Sequence, residues 1–159
     1  MSSSKAIGKL PRSLGNLDTV DWMPVDAAAN VLLELAFNTL IDEKASKDKL
    51  SFYHLVNPRT ETWQNLVSVV QKHFDQSHTT LEILDFLDWV ETLKKIPVTK
   101  ENAARVPGLK LLDFYEGLAA AQGLPRLATD KTSAMSSTLR NIGPVNGDMM
   151  ERWLEQWAF

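Results

Sequence analysis

Cysteine is absent from the 159 residues, which excludes disulfides, thiolate metal sites and cysteine nucleophiles together. Charge of one sign is missing as well: the formal net charge is −3, with acids and bases interleaved along the chain. Such a pattern leaves no basic footprint for nucleic acid and no polybasic patch for anionic lipid. Long apolar runs are lacking too, Val31–Leu33 being stopped by Glu34, so no membrane span is expected. Met1-Ser2-Ser3-Ser4-Lys5 has no hydrophobic stretch of the signal-peptide kind, and Ser2 in place of glycine removes myristoylation. A cytoplasmic location is the default expectation.

Glycine is sparse and scattered, seven in all. No glycine-rich strand-to-helix turn, P-loop or nucleophile elbow can be drawn from them. Tyr53 and Tyr115 are the only tyrosines, and the residues four positions on are Asn57 and Ala119. The Tyr-x-x-x-Lys proton-donor pair of short-chain reductases is therefore not formed.

What is present suits one globular domain: 44% apolar and 23% charged residues. Residues 1–18, rich in Ser, Gly, Lys and Pro, read as an extended leading segment, and 19–159 as a single domain. Thr19-Val20-Asp21-Trp22 predicts a short strand that stops at Pro24. A helix follows from Pro24 or Asp26, with Ala28, Val31, Leu32, Leu35, Ala36 and Leu40 along its apolar stripe. The mixed-charge run from Asp42 to Lys49 reads as a solvated loop. Ser51–Val56, aromatic and β-branched and ending before Pro58, predicts a strand covered on both faces, as in a parallel sheet.

Trp63, Leu66, Val67, Val70 and Phe74 predict an amphipathic helix, with Thr60 or Thr62 as cap. Leu81–Leu84 predicts another short strand. Asp85 then caps a helix carrying Phe86, Trp89, Val90 and Leu93 that ends before Pro97. Further helices are expected from Pro107, with Leu111, Phe114, Tyr115 and Leu118 on one face and a stop at Gly123 and Pro125, and from about Lys131 to Leu139. A last one carries Met149, Met150, Trp153, Leu154 and Trp157. The fold class is α/β and helix-dominated, with two or three short strands and about six helices.

Few side chains invite chemistry. His73 and His78 flank Asp75 and His54 lies on the predicted strand, but zinc ligands on a helix usually stand one turn apart. His73 near a helix end serves the dipole equally well. The acids Asp42/Glu43, Asp85/Asp88 and Glu151/Glu155 are sequence neighbours, where solvated surface is the ordinary reading. Asp26 stands between strand and helix and reads as a cap. Trp63, Trp89, Trp153 and Trp157 fall on apolar helix faces, where core or interface packing is the default. The Ser/Thr cluster from Thr129 to Thr138 reads as caps and turns. No catalytic, cofactor-binding or metal residue is assigned, and substrate-contacting residues stay unassigned.

As text, Val20-Asp21-Trp22-Met23-Pro24-Val25-Asp26 and Tyr53-His54-Leu55-Val56-Asn57-Pro58 followed by Trp63 resemble segments of thioester reductase domains. Phe86-Leu87-Asp88-Trp89, Leu109–Tyr115 and Trp153–Trp157 are similar to the ends of such proteins, in the same order. These domains occur in fungal nonribosomal-peptide-synthetase-like and polyketide synthases and in adenylate-forming reductases. The resemblance implies the C-terminal part of an extended short-chain dehydrogenase/reductase fold, with 19–96 the end of a Rossmann-like core and 97–159 a helical substrate-side subdomain. It implies a parent that uses NADPH to release a carrier-bound thioester as aldehyde or alcohol. Its partners would be a missing N-terminal Rossmann core and a phosphopantetheinylated carrier protein, with self-association as another way to cover Ser51–Val56. The family's glycine fingerprint and catalytic Tyr and Lys lie upstream of the matched portion, so this chain alone would hold no cofactor. The competing reading is a free-standing helical interaction module without enzymatic activity, and a complete small enzyme ranks below both.

Overall fold

The computed structural model describes residues 1–41, 50–120 and 125–157. The solvated loop expected over 42–49 and the stop expected at Gly123 lie outside them. The chain packs as two units drawn from separated stretches. One comprises Met1–Val20, Thr62–Leu124 and Asn146–Phe159, the other Asp21–Glu61 and Pro125–Val145.

The first unit opens on a helix, α1 (Ser2–Ile7), where an extended segment was expected. Two features hold it. Gly8 takes a left-handed conformation, φ 67°, and its N–H returns to the carbonyls of Ser4 and Lys5, the turn that glycine makes without a Cβ penalty. Inside the helix, the buried Ser3 Oγ accepts the Gly108 N–H at 2.7 Å. The chain then enters β1 (Lys9–Pro11). A short 3₁₀ turn, Gly15–Leu17, leads to β2 (Thr19–Val20), which ladders with β3 (Glu61–Thr62).

The amphipathic stripe foreseen after Thr62 is observed as α3 (Trp63–Gln76), with Trp63, Leu66, Val67, Val70 and Phe74 all buried. The helix ends in a tight turn in which His78 sits at φ 57°, a region that disfavours any residue with a Cβ. Next, β4 (Glu82–Leu84) pairs parallel to β1, Lys9 opposite Glu82 and Leu10 opposite Ile83. Pro11 closes that ladder opposite Leu84, at a strand end where its missing N–H costs no central bond. Asp85 holds the N-cap position of α4 (Phe86–Lys94), although its carboxylate turns to Arg12 Nε at 3.4 Å instead of the helix amides.

A helix that the sequence reading did not include, α5 (Lys100–Arg105), is capped by Thr99, whose hydroxyl accepts the Asn102 N–H. Pro107 starts a 3₁₀ turn to Leu111 that runs into α6 (Leu112–Ala120). The buried face there is Leu109 and Leu118 with Leu112 and Tyr115, while Leu111 and Phe114 are exposed. The expected stripe is thus corrected: the tighter 3₁₀ turn ahead of α6 rotates the register. These side chains pack with Phe86, Trp89, Val90, Leu93 and Val106 into one cluster.

The second unit is built on α2 (Val25–Ile41), with α7 (Asp130–Met135) and α8 (Ser137–Asn141) beside it. The single helix expected over Lys131–Leu139 is broken at Ser136, whose hydroxyl caps α8 on the Leu139 N–H at 3.0 Å. Val31, Leu35 and Leu139 form the core, with Met23, Tyr53, Leu55, Met135 and Ile142 around them. Asp26 is not the cap of α2. The Ala28 N–H reaches the Pro24 carbonyl, so Pro24 precedes the first turn and Asp26 lies inside it, where a carboxylate acts only through the dipole.

Ser51–Val56 is not a strand. Phe52 is 72% exposed, so the expected cover on both faces is corrected as well. A strand is a property of a pair, and among the described residues no second strand lies beside it.

The final helix, α9 (Gly147–Trp157), belongs to the first unit and lies against α3, burying Met150 and Leu154. Gly147 sits so near Val69 that a Cβ would stand 3.3 Å from its Cγ2. Among the described residues there are nine α-helices and four short strands, so the helix-dominated α/β expectation holds. None of these helices is long and apolar enough to cross a membrane.

Candidate functional site

Two concavities offer themselves, one in each unit. That of the first unit, about 330 Å³, lies over Gly15, Phe86 and Leu118. Its polar groups are already engaged. Ser13 Oγ donates to Asp18 Oδ2 at 2.8 Å, and Asn16 Nδ2 to the Leu118 carbonyl at 2.9 Å. Asp18 also accepts the Leu14 N–H at 2.6 Å. The arrangement stabilises a loop and leaves little to grip a ligand.

The concavity of the second unit is larger, about 650 Å³, and strongly apolar, running between α2 and the segment through Phe52, Tyr53 and Leu55. The helix supplies Leu32, Leu35, Ala36 and Leu40 to it. Its composition explains why. Nearly every side of α2 is apolar, and a helix apolar all round needs cover all round. Within its own unit it buries only Val31 and Leu35.

Glu34 interrupts the apolar run in the middle of α2, and it is fully used. Its carboxylate accepts the hydroxyls of Ser136, of Ser137 at 2.7 Å and of Thr138 at 3.0 Å, together with the Thr138 N–H at 3.1 Å. The hydroxyls of Ser136 and Ser137, then the Thr138 groups, hold the carboxyl down at about 2, against some opposition from burial. Part of the Ser/Thr cluster read as caps and turns is thus a docking point between α2 and α8. A lone acid amid Val31, Leu32, Leu33 and Leu35 was the available signal.

This contact should appear in the pH dependence of stability. A depressed carboxyl stabilises the fold above its ordinary value of about 4.5 and loses that contribution as pH falls toward its folded value. Denaturation midpoints of the parent and of Glu34→Gln should therefore differ at pH 6 and converge as pH approaches 2. Parallel curves across that range would remove Glu34 from the argument.

Asn57, read only as the end of a strand, proves to be a buried tie. Its Nδ2 donates to the Gly143 and Trp22 carbonyls at 2.9 and 3.3 Å, and its Oδ1 accepts the Arg59 N–H at 2.9 Å. Thr132 ties the extended segment. Its hydroxyl accepts the His54 N–H at 3.1 Å and donates to the His54 carbonyl at 3.0 Å.

The histidines stand apart in role. His54 Nδ1 lies 2.8 Å from the Ala128 carbonyl, His73 is in the last turn of α3 with its ring edge-on to Phe74, and His78 makes the turn beyond. Among the described residues no three His, Asp or Glu side chains converge to hold a metal ion. Tyr53 lies under the Lys131 ammonium, 4.6 Å from its ring centroid. Tyr115 stacks edge-on to Trp89, and burial raises its phenol above the usual range. Trp63 and Trp89 are core, as expected, while Trp157 is half exposed and stacked on Trp153.

Two of the described strand-to-helix junctions do not suit a dinucleotide. β4 enters α4 through the Asp85 carboxylate, which would repel a pyrophosphate at the helix N-terminus, and β3 enters α3 on the bulky Trp63.

No protein-family model matches the chain. Its relatives include fungal proteins. It is 33% identical to a carboxylic acid reductase of Neurospora crassa, covering 100% of this chain and 15% of that protein. It is 29% identical to the clavatol synthase of Penicillium crustosum, over 99% of the chain and 6% of the synthase. An adenylate-forming reductase of Serpula lacrymans is 27% identical, over 99% of the chain and 15% of its own length. The resemblance read from the sequence thus extends along the whole chain: it is similar to a portion of fungal reductases and polyketide synthases. The chain spans only a small part of each of these relatives.

Proposed function

We propose that the chain is the non-catalytic C-terminal portion of an NADPH-dependent thioester reductase, which releases carrier-bound acyl or peptidyl thioesters as aldehyde or alcohol. The observation that carries this reading is likeness along the full chain to reductases many times its length. In it, residues 19–96 supply the end of the cofactor-binding core and 97–159 the substrate-side helices. NADPH is bound by the remainder of the enzyme, in keeping with junctions here that do not suit it. The partners are that core and a phosphopantetheinylated carrier protein, and the location is cytoplasmic.

The test is a chimera. The matched stretch of the Neurospora crassa reductase is replaced by this chain, and NADPH oxidation is followed with a carrier-loaded acyl thioester. The chimera should reduce the thioester, and the isolated chain should neither bind nor oxidise NADPH. A chimera that folds, by circular dichroism and a single gel-filtration peak, yet leaves NADPH unoxidised overturns the proposal. A free-standing interaction module would then be the better reading.

A further inference from the structure

We infer that Thr129 is a phosphorylation site, modified by a kinase that recognises an arginine three residues ahead of the hydroxyl. The site lies in the second unit and stands apart from the function proposed above.

The hydroxyl is found by elimination within the Ser/Thr cluster from Thr129 to Thr138. Thr132 is committed to His54, Ser136 to the Leu139 N–H, and Ser137 and Thr138 to Glu34. Among the described residues the hydroxyls of Thr129 and Ser133 are left without a partner. Ser133 lies inside α7, where the helical backbone cannot be laid along a kinase cleft. Thr129 precedes α7 at its N-cap position, and its side chain makes no cap bond.

The residues ahead of Thr129 supply the recognition element. Kinases select substrates by charge pattern, and those of basic preference read a guanidinium three residues before the acceptor hydroxyl. Of the six arginines, Arg59 and Arg126 alone have a serine or threonine at that distance, Thr62 and Thr129. The fold separates the two. Thr62 lies in β3, laddered to β2, and the next N–H, that of Trp63, is bonded to the Asp18 carbonyl. Drawing Thr62 into a kinase would pull the buried Trp63 out of the core. Arg126, Leu127 and Ala128, by contrast, are exposed and in no helix or strand. Among the described residues none of their N–H groups is bonded, and no ion pair holds Arg126.

In the transfer, the γ-phosphoryl group of a nucleoside triphosphate passes to Thr129 Oγ1. The bond to the nucleoside diphosphate breaks, and the hydroxyl proton leaves to the base of the kinase. The product carries about two negative charges at neutral pH. Along the chain Arg126 and Lys131 flank it against the single acid Asp130, so the new charge is received without net repulsion.

The test incubates the folded chain with magnesium ATP and a purified Ser/Thr kinase of that preference, and maps the modified residues by mass spectrometry. Synthetic peptides of residues 56–68 and 123–135 serve as unfolded references. Both peptides should be phosphorylated, whereas the folded chain should take phosphate at Thr129 and not at Thr62. Arg126→Ala should slow modification of Thr129 about tenfold or more, the worth of one charge-assisted hydrogen bond to the kinase. Arg126→Lys should restore part of the rate, and both variants should keep the circular dichroism of the parent.

A folded chain left unmodified at Thr129 while the 123–135 peptide is phosphorylated overturns the inference, because the fold then shields the hydroxyl. An unmodified 123–135 peptide does the same. So do equal rates at Thr62 and Thr129 in the folded chain, or a folded Arg126→Ala chain modified at the rate of the parent.

Discussion

Trp63→Ala should lower the stability of the chain by about 3–5 kcal/mol, the range for truncating a buried tryptophan. Trp63 is 2% exposed and opens α3, the helix against which α9 lies. Its Nε1 donates to the Pro11 carbonyl at 3.0 Å and its backbone N–H to the Asp18 carbonyl at 2.8 Å. The alanine variant keeps the backbone bond, leaves a cavity and strands the Pro11 carbonyl. Trp63→Phe keeps most of the volume and loses only the indole bond, so its cost should be nearer about 1–3 kcal/mol. Denaturant midpoints followed by far-ultraviolet circular dichroism separate the two. Equal midpoints for phenylalanine and alanine would show that packing contributes little at this position.

Asn57→Ala should cost about 2–4 kcal/mol, because three backbone groups lose the partner that satisfies them in a buried place. The amide spans Trp22, Arg59 and Gly143, segments far apart in sequence, and no single water-exposed rearrangement can replace it. Asn57→Asp should be worse than alanine at neutral pH. It keeps the acceptor for Arg59 but turns a negative oxygen toward the Gly143 carbonyl. An aspartate variant more stable than the alanine variant would show that the site is wetter than its 2% exposure implies. The midpoint of Asn57→Ala within about 0.5 kcal/mol of the parent would deny Asn57 its role altogether.

How far the chain could be read in advance depended on contrast. In α3 and α4 polar residues alternate with apolar ones at the helical period, so Leu66, Val70, Trp89 and Leu93 could be placed in the core by phase alone. α2 has almost no contrast. Its existence was legible and its buried face was not, and Leu32, Ala36 and Leu40, all placed on its stripe, are exposed. Ser51–Val56 has the composition of a strand, but composition cannot supply the neighbour that makes one.

α1 was missed because a serine-rich stretch favours caps and turns when judged locally. What holds it is the bond from Gly108, over a hundred residues away. The partners of Glu34 and of Asn57 were out of reach for the same reason, since each contact joins segments that only the folded chain brings together. The reading of function did not depend on any of them. It came from an ordered set of short segments and from the lack of reactive groups.

The interleaving of the two units has a consequence for biosynthesis. The first unit needs α9, the last of the described helices, to cover α3. At ribosomal rates of about 5–20 residues per second, α3 is made several seconds before its cover arrives. Until then its apolar stripe has no native partner in that helix, and the nascent chain depends on chaperones or on whatever was synthesised ahead of it. A premature stop after Val145 would therefore remove the cover of α3 and be strongly damaging. Such a product should turn over rapidly in the cell.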